Sequence, residues 1–148
     1  MKKFIIIIAG IICTACTTDY IAYTEVEYKN NSTQDIQFLS ILNLLNPDTQ
    51  NIVVTEKTIA TLPSGSSFTF STSGMSHRKG FISINSVTSD NGIALIQFGD
   101  IVKISFADKY ADENIYELTS TKNRRRKYSY TFTDADYQYA LEHGTPIE

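Results

Sequence analysis

The sequence is poor in the residues that build metal and redox centres. Its 148 residues include two cysteines, two histidines and no tryptophan. Both cysteines, Cys13 and Cys16, adjoin an N-terminal apolar run, so the remaining chain has no thiol for a disulfide or a thiolate metal site. Neither His77 nor His143 has a cysteine or carboxylate at the spacing of a zinc motif. We therefore expect no metal, no cofactor and a fold held by its apolar core alone.

Positive charge is also in the minority. The chain carries 13 lysines and arginines against 16 acidic residues, which gives a net charge of −3. Nucleic-acid-binding proteins present a strongly basic face, so we expect no nucleic-acid partner. Loss of Lys2 and Lys3 with an N-terminal signal would make the chain more acidic still, which argues against general adhesion to an anionic membrane surface.

The N-terminus has the pattern of an export signal. Two lysines after Met1 precede an uninterrupted apolar run from Phe4 to Ile12. A bilayer span needs about 20 apolar residues, so this run is too short to cross a membrane. A basic start, a short apolar run and small residues before a cleavage site are typical of a secretory signal. We therefore predict a signal peptide at residues 1–15 and a short tether at residues 16–21.

The end of this signal favours a lipid anchor. Thr14 and Ala15 are small residues directly before Cys16, and they resemble the recognition site of lipoprotein signal peptidase. Cys13 stands where such sites usually have leucine. Cys13 is a poor candidate for lipidation itself, because the β-branched Ile12 before it would fit poorly in a pocket for small side chains. We expect Cys16 to be acylated on sulfur and to hold the chain to the cell envelope, at the outer membrane, facing the periplasm or the surface. A plain signal is the alternative, and a Cys13–Cys16 disulfide would require that signal to be retained.

Strands dominate the prediction for the rest of the chain, because apolar and polar residues alternate with a period of two. In the clearest case Val102, Ile104 and Phe106 would face a core, and Lys103 and Ser105 would face solvent. Strands of this kind are predicted at 23–28, 35–38, 52–59, 67–70, 81–84, 93–98, 101–106, 115–118 and 128–132.

Three segments need interpretation beyond simple alternation. The apolar residues of 38–45 also fit helical spacing, but Asn46-Pro47-Asp48 follows too soon for a helix, so we predict a strand. Residues 71–80 are polar and contain glycine, which predicts a loop. The dipeptide Asn91-Gly92 predicts a tight turn that pairs strands 81–84 and 93–98.

One short helix is predicted at the C-terminus, from Thr133 to Glu142. Thr133 can cap its start, and Asp136 occupies the position of the acidic member of a capping box. His143 suits the negative end of the helix dipole, and Gly144 is the expected stop. We expect one helix face to lie against an end or edge of a sheet, namely Tyr137, Ala140 and Leu141.

Eight to ten short strands with frequent turns predict one mainly β domain at residues 22–148. The favoured fold is an antiparallel, immunoglobulin-like β-sandwich with one short C-terminal helix. A lipocalin-like or other small β-barrel is the alternative. Because tryptophan and the domain disulfide are missing, any likeness to immunoglobulin domains concerns architecture only.

The closing segment Tyr128-Ser-Tyr-Thr-Phe-Thr-Asp-Ala-Asp-Tyr137 joins an aromatic strand, a threonine cap and an acidic helix start. With the lipobox-like end at Cys16, the strand and turn at 26–31 and the strand at 100–106, it resembles small β-rich lipoproteins of Gram-negative anaerobes. The resemblance implies an envelope location, lipid on Cys16 and a β-rich fold. It carries no catalytic residue.

The densest charge after the N-terminus is Arg124, Arg125, Arg126 and Lys127. These residues are a candidate binding patch for acidic glycans, lipid headgroups or an acidic protein. The alternative is an exposed hairpin connection whose charges keep a strand edge from pairing with other chains.

Other candidate sites have weaker support. A calcium site could use carboxylates at 108, 112 and 113, but the spacing of an EF-hand is missing and a solvated acidic turn is simpler. No serine has the glycine pattern of a nucleophile elbow. We expect a membrane-anchored envelope lipoprotein that is not an enzyme and has a binding, accessory or structural role, with an envelope protein or glycan as partner. An envelope hydrolase and a barrel carrying a small apolar ligand are the alternatives.

Overall fold

The computed structural model describes residues 20–76 and 81–147. Its strands are β1 (Tyr20–Asn30), β2 (Ile36–Leu45), β3 (Ile52–Leu62), β4 (Ser67–Ser76), β5 (Leu95–Phe98), β6 (Val102–Ser105), β7 (Glu117–Lys122), β8 (Arg125–Phe132) and β9 (Thr145–Pro146). Its helices are α1 (Ile84–Asp90), α2 (Phe106–Lys109) and α3 (Asp134–His143), with a 3₁₀ turn at Glu113–Ile115.

The strands form a four-stranded sheet in the order β4-β1-β8-β7 and a five-stranded sheet in the order β3-β2-β5-β6-β9. Neighbours are antiparallel except β1 and β8, which run parallel with Tyr23 beside Arg125. Side chains of both sheets meet in one core, so the predicted β-sandwich, immunoglobulin-like in its two stacked sheets, is confirmed. Neither sheet closes on itself within the described residues, so the barrel alternative is wrong.

Aromatic rings fill the centre of the core, because alternate residues of β1, β2 and β8 point between the sheets. The ring of Tyr28 lies 5.0 Å from that of Phe38 and 5.8 Å from that of Phe132, centroid to centroid. All three side chains are almost fully buried. Burial of one large apolar side chain contributes about 1.5–3 kcal/mol, so this cluster is a main link between the sheets.

Residues 81–84 do not form the predicted strand; they lead into helix α1. The side chain of Ser83 accepts a hydrogen bond from the Ser86 N–H and caps the helix. Ile84 and Val87 are buried three residues apart, which is helical spacing. The Thr24 hydroxyl donates to the Ile82 carbonyl over 2.6 Å, so the segment before α1 is attached to β1.

The dipeptide Asn91-Gly92 ends helix α1 and does not form the predicted hairpin turn. Gly92 has a φ of 68°, and the Asn91 N–H bonds to the Val87 carbonyl. Glycine adopts positive φ at helix ends as readily as in hairpin turns. The dipeptide therefore marks a change of chain direction, but at the end of a helix and not in a hairpin.

The first strand and its partner are longer than predicted. β4 continues to Ser76 through part of the predicted loop, because β1 supplies backbone partners along its length, with Ile21 opposite Met75. β1 already includes Tyr20, two residues before Ala22. Cys13, Cys16 and residues 77–80 lie outside the described residues.

The hairpin of β2 and β3 extends beyond the sandwich. β5 pairs only with Ile36–Leu39 of β2, so residues 40–57 form a two-stranded ribbon. The ribbon confirms the strand prediction for 38–45 over the helical alternative. We call residues 40–57 the arm.

Helix α3 has the predicted capping box between Thr133 and Asp136, and it packs against β6 and β9 at the edge of the five-stranded sheet. Ala140 is fully buried, whereas Leu141 is 44% exposed and does not share the buried face. Among the helices of the described chain, none has both the length and the apolar character needed to cross a bilayer.

Candidate binding site

The ends of the sandwich differ in chemistry. At one end β1 is joined to β2 and β3, because the Asn30 side-chain amide donates to the carbonyls of Gln34 and Leu62. The start of β1, the end of β4 and the turn between β7 and β8 lie at the opposite end. We call it the basic end, defined by residues 20–23 and 122–127.

The turn at the basic end is shorter than the predicted connection from Lys122 to Lys127. Only Asn123 and Arg124 leave the strands, with φ angles of 48° and 65°. Residues 125–127 belong to β8, which lies between β1 and β7. The interpretation that these charges shield a sheet edge is therefore wrong, because β8 is an interior strand.

Alternation along β8 divides the predicted patch between two faces. Arg125 and Lys127 point outward, and Glu25 of the neighbouring β1 lies 3.4 Å from Arg125 Nη1 and 3.0 Å from Lys127 Nζ. Exposed ion pairs contribute about 0–1 kcal/mol, so these contacts orient the cations more than they stabilise the fold. Glu25 therefore balances only one of the two positive charges beside it.

Two arginines at this end are held by aromatic rings. The Arg124 guanidinium lies 3.7 Å from the ring centroid of Tyr20, and that of Arg126 lies 3.7 Å from the ring of Phe81. Arg126 points inward, and its Nε is buried with no hydrogen-bond partner among the described residues. Stacking on a ring occupies the flat face of a guanidinium and leaves its edge N–H groups free to donate.

An open groove of about 380 Å³ lies beside the turn on the outer face of the four-stranded sheet. Its walls are formed by Tyr23, Ser120, Lys122, Asn123, Arg125 and Lys127. Three cations, hydroxyl and amide groups and one tyrosine ring suit an anionic ligand that also presents an apolar surface, such as an acidic sugar or a phosphate headgroup.

Two of the three carboxylates considered for calcium accept hydrogen bonds from backbone N–H groups. Asp112 accepts from the N–H and side-chain amide of Asn114, and Glu113 accepts from the Ile84 N–H. Asp108 lies in the first turn of α2. Within 20–76 and 81–147 no group of three metal-ligating side chains comes together.

His143 does not line the groove. His143 stacks on Tyr139, with 4.2 Å between ring centroids, and its Nδ1 lies 3.0 Å from the Tyr139 carbonyl oxygen. This is the helix-end position that the sequence predicted. His77 lies outside the described residues.

A buried polar network was missed by sequence reasoning. The Tyr28 and Tyr116 hydroxyls lie 3.2 Å apart, and Tyr116 donates to the Tyr110 carbonyl over 2.7 Å. The Tyr130 hydroxyl donates to Asp136 over 2.5 Å. The alternation of β1 and β8 indicated inward tyrosines, but the partners come from separate parts of the chain. We interpret the network as structural because Tyr28, Tyr116 and Asp136 are buried and its bonds join separate segments of the chain.

Burial raises the pKa of Tyr28 to about 12. Burial also raises the pKa values of Tyr110, Tyr116 and Tyr130 well above the ordinary range, with Asp136 adding to the shift of Tyr110 and Tyr130. An unfolded tyrosine has a pKa of about 10, so the folded state favours the neutral phenol. The resulting stability is complete below pH about 10 and is lost as pH rises toward the folded pKa values.

We expect alkaline unfolding to expose these four tyrosines together. In a pH titration, the tyrosinate absorbance of these four residues should rise only above pH about 10, the ordinary pKa of a phenol. The rise should coincide with loss of the β-sheet circular dichroism signal. Ionisation of all nine tyrosines in one step with unchanged circular dichroism would contradict the buried network.

No protein-family model matches the chain, and neither a curated protein nor a solved structure shows similarity to it. The basic groove is therefore interpreted from its own geometry. That geometry combines three exposed cations with a tyrosine ring beside the start of the first strand.

Proposed function

We propose that the protein is a lipid-anchored component of the cell envelope that acts by binding rather than by catalysis. The observation that carries this proposal is the position of the groove at the start of β1. Tyr23 lines the groove, and Arg124 stacks on Tyr20. Four residue steps at up to about 3.5 Å each place Tyr20 within about 14 Å of Cys16. Lipid on Cys16 would therefore hold the groove close to a membrane surface.

The proposed ligand carries phosphate or carboxylate groups, on a lipid headgroup or on an acidic envelope glycan. The whole chain is acidic, so long-range attraction would be weak. Binding would depend on short-range hydrogen bonds from Lys122, Arg125 and Lys127. The ring of Tyr23 would add contact area for a sugar or headgroup.

The anchor is tested by replacing Cys16 with alanine. We expect labelling by a fatty-acid analogue to be abolished and the protein to leave the membrane fraction, because a sulfur atom is required for acylation. Cys13→Ala is the matched control and should still label. If Cys16→Ala labels and sediments with membranes as before, the lipid anchor on this residue is wrong.

The groove is tested by reversing one of its charges. Arg125→Glu should weaken binding to vesicles containing phosphatidylglycerol, or to polygalacturonate, by about tenfold. The attraction between Arg125 and the anionic ligand would become a repulsion. Comparing the two probes separates a headgroup from a glycan as the source of the anion.

Lys29→Glu is the control for this variant. Lys29 is also an exposed cation on a strand, 3.5 Å from Glu27, but it lies at the other end of β1. Equal loss of binding in both variants would show that net charge, and not the groove, attracts the anion.

A further inference from the structure

The arm presents an unusual amount of apolar surface. Seven of its aliphatic side chains are between 38% and 69% exposed: Ile41, Leu42, Leu44, Leu45, Ile52, Val53 and Val54. Leu44 lies beside Val53 on one face, and Leu45 lies beside Ile52 on the other, so both faces are apolar. Monomeric soluble proteins rarely expose an apolar patch above a few hundred Å². The arm therefore has the character of an interface.

The backbone of the arm is also open along β3. β3 is one of the two outer strands of its sheet, and no residue from Ile52 to Thr55 is charged. Of the two outer strands of the other sheet, β7 carries Glu117 and Lys122, whereas β4 is uncharged but made mainly of serine, threonine and glycine. An uncharged, apolar edge is a template for pairing with another strand.

An added strand fits the arm better than a lipid bilayer does. The hydrocarbon interior offers no partner to the outward N–H and C=O groups of β3, and open sheet edges do not occur there. A strand from a protein satisfies these groups and covers apolar side chains at the same time.

The sequence of the arm is complementary to itself. If two copies of β3 pair antiparallel about an axis at Val53, Ile52 of one copy lies opposite Val54 of the other on each side of that axis. Because β3 begins at Ile52, the paired segment is Ile52–Val54 of each copy, and it is uncharged. No two like charges then lie opposite each other. Direct cross-strand pairs of this kind are the unit of sheet stabilisation.

We propose that the arm is a dimerisation element, in which β3 pairs with β3 of a second copy of this chain about an axis at Val53. The proposal is independent of the lipid anchor and of the basic groove. In this dimer the five-stranded sheets of the two copies would be joined through their arms.

Disulfide trapping tests the register directly. Opposed residues of antiparallel strands have Cα atoms about 4.5–5.5 Å apart, within the range that a disulfide spans. The full chain carrying Cys13→Ser, Cys16→Ser and Val53→Cys, in detergent, should convert largely to a covalent dimer on mild oxidation. Thr121→Cys in the same background is the control on the outer strand of the other sheet, and it should stay mainly monomeric. Equal cross-linking of the two variants would overturn the proposal.

A charged residue at position 53 tests how much the proposed contact stabilises the dimer. Val53→Lys would place two ammonium groups opposite each other and should raise the dimer dissociation constant by at least about 100-fold in sedimentation experiments. Ile101→Lys is the control, since Ile101 is 42% exposed outside the arm. A monomeric parent chain overturns the proposal. If the parent is a monomer that floats with lipid vesicles, and Val53→Lys abolishes this flotation, the arm binds lipid and not a second copy.

Discussion

Replacing Asp136 with alanine should lower the free energy of unfolding by about 3 kcal/mol, because the buried member of an ion pair and the acceptor of several hydrogen bonds is removed. Asp136 is 4% exposed and joins three elements. Its Oδ1 accepts from Lys109 Nζ over 2.6 Å and from the Tyr130 hydroxyl over 2.5 Å. Its Oδ2 accepts from the N–H and hydroxyl of Thr133. Alanine would leave a cation and a phenol without their acceptor and would remove the capping box.

Asp134→Ala is the matched control for this variant. Asp134 lies in the same helical turn but is exposed, and it accepts from the N–H and hydroxyl of Thr33. Loss of these exposed bonds should cost about 1 kcal/mol. Urea unfolding followed by circular dichroism measures both variants. Similar losses would show that the Asp136 network stabilises the fold no more than a surface contact does.

The second large effect is expected for Gly144→Ala, which should destabilise the protein by about 3 kcal/mol through overpacking. A Cβ atom on Gly144 would lie 2.4 Å from the Lys103 carbonyl oxygen and 2.5 Å from that of Ala140. Both are backbone atoms, so neither can move without displacing β6 or α3. The φ of Gly144 is −88°, so glycine is required here by close approach and not by a left-handed backbone.

Gly74→Ala separates this effect from the general cost of replacing glycine. A Cβ atom on Gly74 would meet only the Ile82 side chain, with Cδ1 at 3.3 Å. A flexible side-chain end can shift, so the change should be below about 1 kcal/mol. Thermal unfolding of the two variants distinguishes them. A Gly144→Ala variant as stable as the parent would mean that the end of α3 does not pack closely against β6.

The sequence predicted the fold class and most strands because alternation is a local signal. β6 and α3 illustrate this, since their alternating core positions and capping residues lie within a few positions of each other. Helix α1 was missed because β-branched residues near Ile84 resemble a strand when their burial partners are unknown. The parallel pairing of β1 with β8 could not be predicted, because alternation indicates that a strand exists and not which strand lies beside it.

The candidate site was predicted in part. Charge density alone identified Arg124 to Lys127. It could not show that Arg126 turns inward onto Phe81, or that Tyr23 and Lys122 complete the groove, because both depend on the register of β1, β7 and β8. The Asp136 network could not be predicted either, because Lys109 is 27 residues away in the chain. Lipid on Cys16 stays a prediction from the sequence.

The parallel pairing of the first and last long strands also affects the order in which the protein can fold. β1 is an interior strand, and one of its two neighbours, β8, ends at Phe132. A growing chain that lacks residues 125–132 leaves one edge of β1 without backbone partners. Contacts between distant segments form slowly because closing a long loop costs conformational entropy. The four-stranded sheet is therefore completed only after nearly the whole chain has been made. For the proposed export, this delay would keep the N-terminal part from completing the native sheet before the C-terminal part had followed.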